Sequence, residues 1–187
     1  MVLPVFEQPD DWILHKSAIP IQQQQFCRIV NQFWPDLERV KQVRNEIRSN
    51  MLYRDRKEEL ETLLPHGRFE NWVLHVIAVT QAADGNAAIT LQPPCQVMLA
   101  SDACQKNTSG IHADIKKDTP LFRELEKVGH NDFVVVSGTI LYLSQGDQTQ
   151  ELPQYAMYKP GEYCSESGDA KGQEVLVTDI NYLVQLR

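Results

Sequence analysis

No apolar run in this 187-residue chain approaches the roughly 20 residues that would span a bilayer, so no membrane span is expected. Positive charge is also scarce. Against 25 Asp and Glu stand 18 Lys and Arg, a net charge of −7, which disfavours nucleic acid as a general partner because phosphate contact relies on clustered cations. None of the four cysteines, Cys27, Cys95, Cys104 and Cys164, forms a C-x-x-C pair, so the usual zinc and thioredoxin spacings are missing. The chain contains no phosphate-binding P-loop, no dinucleotide-binding glycine fingerprint, no H-E-x-x-H and no G-x-S-x-G. Its carboxylate pairs, Asp10-Asp11 and Glu58-Glu59, lack the apolar neighbours that raise a pKa for acid catalysis. These absences point away from an enzyme, and no cofactor is expected.

The N-terminus, MVLPVFEQPDDW, has no basic segment leading into an apolar core. As given, the sequence is expected to be cytoplasmic, or extracytoplasmic if a leader was removed. The cysteines are either four separate buried thiols or two disulfides, and Cys95 with Cys104, flanking residues 97–99, is then the nearest local pair. The histidines, His15, His66, His75, His112 and His130, are scattered. A metal at His112, Asp114 and Cys104 would need ligands to converge from a loop, so none is expected.

What the chain does contain divides near Pro65-His66-Gly67, into a helical region over 1–66 and a β-rich region over 67–187. Phe26, Ile29, Val30 and Phe33 fall on one face of a first, short helix. Pro35 suits the first turn of a new helix better than the middle of an old one. From Asp36 onward the spacing predicts a long amphipathic helix, or a helix pair. Leu37, Val40, Ile47 and Met51 form its stripe, with Val43 beside them, and Leu60, Leu63 and Leu64 resume it. Between Asp36 and Lys57 there are seven basic and four acidic residues, which leaves the rest of the chain near −10. Arg44, Arg48 and Arg54 are therefore candidate contacts for an acidic partner. The alternative is a solvated face, or one docked on the protein's own acidic half.

Beyond Gly67 the period changes to two. FENWVLHVIAV and NAAITLQ are strands joined by a turn at Asp84-Gly85, where glycine supplies the positive φ of a hairpin. QVMLA is a short third strand. In DTPLFRELEKVG, Thr119 caps a helix, Pro120 opens it and Gly129 ends it, with Leu121, Phe122, Leu125 and Val128 as the buried face. NDFVVVSGTILYL is a fourth strand whose Ser137-Gly138 marks a bend or bulge that would exchange the faces of Ile140 and Tyr142. A turn-rich stretch over 144–173 precedes a last strand, EVLVTDINYLVQL.

The order strand, strand, strand, helix, strand, loop, strand predicts an α+β protein. Its N-terminal helices lead into a five-stranded, OB-like Greek-key β-barrel with a helix between strands three and four. On NWVLHV, DGNAAITL, TPLFREL, DFVVVSGTI and LVTDINYL, residues 69–187 resemble the OB-fold domains of uncharacterised bacterial proteins. Such domains commonly carry Gly-Asp before strand four, where this chain has Asn131-Asp132. The resemblance implies a fold and brings no catalytic residues.

The long 144–173 segment exceeds what a connection needs. Its Tyr155, Tyr158 and Tyr163 are candidate anchors, set among more acids than bases. The expected function is non-enzymatic binding or adaptation to a protein partner, of the inhibitor or immunity type or as an accessory subunit of an envelope assembly. The alternative is single-stranded nucleic-acid or oligosaccharide binding through the OB-like face.

Overall fold

A computed structural model describes residues 15–81, 83–95, 97–101, 115–141 and 175–186. Helices α1 (Ile21–Gln42) and α2 (Glu46–Leu63) precede strands β1 (Arg68–Gln81), β2 (Ala87–Gln92) and β3 (Met98–Ala100). Helix α3 (Pro120–Leu125), β4 (Phe133–Ile140) and β5 (Val175–Gln185) follow. The architecture is α+β, as the change of period predicts. Four strands form a curled antiparallel half-barrel in the order β2-β1-β4-β5, and the three-residue β3 spans its two edges. β3 pairs antiparallel with β2 and parallel with β5.

One apolar core joins the helices to the sheet. Trp72, wholly buried, lies between Phe26 of α1 and Phe69, at ring-centroid separations of 4.8 and 4.6 Å. Val30, Leu60 and Leu64 add to the helical side, and Leu74, Val136, Ile140 and Leu183 to the sheet side. Fully burying each such side chain contributes about 1.5–3 kcal/mol, so the helices complete the core of the half-barrel.

Two polar attachments fix the helix on the sheet. β1 pairs with β4 from Arg68, but β2 joins its other side only from His75. The first half of β1 would therefore expose an unpaired edge. Gln23 fills it: its side-chain amide donates to the Val73 carbonyl at 2.6 Å and accepts from the Val73 N–H at 2.9 Å, wholly buried. Trp72 Nε1 donates to Gln22 Oε1 at 3.2 Å. A covalent attachment lies close by, where Cys27 of α1 and Cys95, after β2, form a disulfide with Cα atoms 5.2 Å apart. This replaces both readings of these cysteines, the separate buried thiols and the local Cys95–Cys104 pair. Cys95 is met by a helix distant in sequence rather than by its neighbour, because α1 packs beside the β2 exit. Cys104 and Cys164 lie outside the described residues.

Pro35 does not open a helix. It sits inside the 22-residue α1, and the break falls at 43–45 instead. There Arg44 takes φ 51° and the Asn45 side chain accepts from the Arg48 N–H, an N-cap for α2. The first helix is therefore the longer of the two, against the expected short–long order.

The remaining signals are local, and all but the end of the helix at Gly129 fold as read. Gly85 has φ 86° in the β1–β2 turn, and the Thr119 hydroxyl accepts from the Phe122 N–H at the start of α3. That helix ends at Leu125, ahead of Gly129; Leu125 and Val128 are buried, Leu121 and Phe122 half-buried. Asn131, just ahead of β4, has φ 72°, in the left-handed region where asparagine is enriched among side-chain-bearing residues.

Ser137-Gly138 marks an irregularity, but β4 itself keeps its alternation. Val134, Val136, Gly138 and Ile140 are all buried, so Ile140 stays on the face it would occupy in a regular strand. The extra residues belong to its neighbours. On β1, Phe69 faces Gly138 and Trp72 faces Val136, leaving Glu70 and Asn71 opposite Ser137. On β5, Ser137 faces Tyr182 and Gly138 faces Ile180, leaving Asn181 unpaired. Glycine is needed because β5 passes so close: a Cβ on Gly138 would meet the Asp179 carbonyl oxygen at 2.4 Å. Gly138→Ala is therefore expected to cost about 1–3 kcal/mol, or more because the obstacle is backbone. Urea unfolding should show a lowered midpoint; an unchanged midpoint would contradict the close approach.

Candidate functional site

The expected stripe runs across 43–45, where the chain breaks between two helices, and the break resets its phase. Leu37 is buried, whereas Val43, Ile47 and Met51 are 63%, 75% and 47% exposed. α2 has apolar residues on two faces. Leu60, half-buried Tyr53 and the stem of Arg56 turn inward, while Ile47 and Met51, one turn apart, turn out. No residue from 38 to 55 is buried, and of these only Tyr53 is among the partly buried apolar residues packed against the core, so the hairpin end around 43–51 stands clear of it. Isolated exposed apolar side chains are ordinary; three close together in sequence at an unpacked hairpin end are not.

The basic residues of this region divide into two groups. Arg39 pairs with Asp36, Arg54 approaches Asp55 at 3.7 Å and Glu58 at 3.9 Å, and Lys57 pairs with Glu61 at 3.3 Å. Arg56 is buried, with its guanidinium 3.9 Å above the centre of the Phe33 ring. Lys41, Arg44 and Arg48 are in none of the ion pairs among the described residues, and all three are exposed around Val43 and Ile47. Of the three candidate arginines, Arg44 and Arg48 thus sit together at the hairpin tip, while Arg54 is shared with carboxylates of its own helix. Sequence reasoning placed Ile47 and Met51 on one stripe with Leu37, and Val43 beside it, and the signal that could have separated them was Asn45, an N-cap residue three positions before Arg48.

Tyr155, Tyr158 and Tyr163 lie outside the described residues, as do His112, Asp114 and Cys104. His75 is buried against Phe133, at 5.1 Å between ring centroids, and His15 covers the same ring at 4.5 Å. Among the described residues no group of three His, Cys, Asp or Glu is placed to hold a metal. No described helix is long and apolar enough to cross a membrane. Comparison with protein-family models, with curated proteins and with solved structures finds no match to this chain.

Proposed function

We propose that the protein is a non-enzymatic binding or adaptor module that engages a partner protein through the tip of its α1–α2 hairpin. The observation that carries this reading is the exposure of Val43, Ile47 and Met51 at the hairpin end, in the same stretch of chain as exposed Lys41, Arg44 and Arg48. Exposed apolar side chains with basic neighbours fit a partner that presents an apolar groove edged by carboxylates. The rigid base behind the tip, held by a disulfide and by Gln23, presents it at little cost in ordering. The half-barrel would then be the scaffold. The ring order β1-β2-β3-β5-β4 and the place of α3 between β3 and β4 support an OB-like Greek-key reading. The Cys27–Cys95 bond favours an oxidising compartment, consistent with an inhibitor, an immunity protein or an accessory subunit of an envelope assembly.

A photo-crosslinking residue at position 47, introduced in cells that produce the protein, tests the proposal. A discrete protein adduct is expected, lost when Met51 is changed to Asp and weakened when Arg48 is changed to Glu. Both changes are at exposed positions and should leave stability within about 0.5 kcal/mol of the parent. Crosslinks to lipid alone, or the same yield from a photo-label at exposed Glu59, would overturn it.

A further inference from the structure

A second surface lies away from the hairpin, where the irregularities of β1 and β5 meet across Ser137. One extra residue on β1, where two residues face Ser137, and one on β5 interrupt the ladders on either side of Ser137. An open cleft of about 500 Å³ lies there. Phe69, buried, and Gly138 contribute to the lining between β1 and β4. Asn71, at φ 55°, is held by its backbone N–H donating to Ser137 Oγ at 2.9 Å, and lines one side. Asn181 lines the other, with Thr139 and Ser137 between them. Arg68 and Glu70 stand at the rim, and Tyr182 is 49% exposed beside Asn181.

The chemistry of this lining selects against charge. One guanidinium and one carboxylate cancel, so a phosphate would meet Glu70 and a cation would meet Arg68. What remains are two side-chain amides and two hydroxyls, each able to donate and to accept, next to a phenol ring exposed on one side. Such a set suits a neutral ligand that carries many hydroxyls and one apolar face able to rest on a ring. The geometry points to a saccharide-binding site in the β1–β4–β5 cleft, with Asn71 and Asn181 reading hydroxyls and Tyr182 as the stacking platform. This site lies on a different face from strands two and three, and it is independent of the hairpin tip.

The test is calorimetric titration of the intact protein with maltohexaose, cellohexaose and chitohexaose, and with inorganic phosphate as the charged control. At least one hexasaccharide is expected to bind, unaffected by phosphate. Asn181→Ala and Tyr182→Ala should each weaken it about tenfold or more, the scale on which lost ring stacking is felt. Tyr182→Phe, which keeps the ring, should bind within about threefold of the parent, since the stacking area is retained. Ile47→Asp should leave sugar binding unchanged, which separates this site from the proposed protein interface. The inference is overturned if none of the three sugars binds, if phosphate binds in their place, or if the alanine variants, folded by circular dichroism, bind like the parent.

Discussion

Replacing Gln23 with leucine is expected to destabilise the protein by roughly 2–5 kcal/mol. The change removes two buried hydrogen bonds and leaves both the N–H and the carbonyl of Val73 without their partner, at about 1–3 kcal/mol for each orphaned group. Against a total stability of about 5–15 kcal/mol this is a large fraction, and it should lower Tm by roughly 5–15 °C in a domain of this size. Gln25→Ala, at an exposed position in the same glutamine run, should shift Tm very little. Differential scanning calorimetry of the two variants decides the point. If Gln23→Leu melts within about 2 °C of the parent, a shift worth under 1 kcal/mol, the Gln23 side chain is not completing the β1 edge.

The second large effect concerns the Cys27–Cys95 bond. It closes a loop with a sequence separation of 68, for which chain-entropy reasoning gives about 4 kcal/mol of stabilisation, within a usual range of about 2–5 for native disulfides. Reduction should therefore lower the urea midpoint by about 1–2 M. In a Cys27→Ala, Cys95→Ala double variant, the parent midpoint should already be lowered, and reductant should add much less. A parent protein in which Cys27 and Cys95 are both alkylated without denaturant would remove the tether. Because Cys27 lies one residue after Phe26 and four after Gln23, loss of the bond should also loosen the base of the hairpin. Hydrogen exchange at Val73 would then accelerate.

These two predictions show where sequence reading stopped. Gln22 to Gln25 reads as a short low-complexity run, because nothing in a glutamine announces that its amide will complete the edge of a strand 50 residues away. Cys95 reads as the neighbour of Cys104 because spacing along the chain was the sole available measure of distance. Ile47 and Met51 read as one stripe with Leu37, and Val43 beside it, because a stripe is defined by periodicity, and periodicity survives only while the helix is unbroken. The Arg44-Asn45 break, set by one positive φ and one side-chain cap, turned that stripe outward and created the proposed interface. For Ser137-Gly138 the irregularity was legible and its owner was not. A glycine records that something must come close, and the register of β1 and β5 shows what does.

By itself the sequence determined the local structure that depends on near neighbours. The helices, the Asp84-Gly85 turn, the Thr119 cap, the short third strand and the α+β order all follow from φ preferences, caps and periodicity within a few residues. The tertiary structure alone decided which cysteine meets Cys95, which glutamine is buried, which face of α2 is left in water, and where a cleft opens beside Ser137. Those outcomes depend on contacts between segments tens of residues apart, and residue order carries no direct measure of such distances.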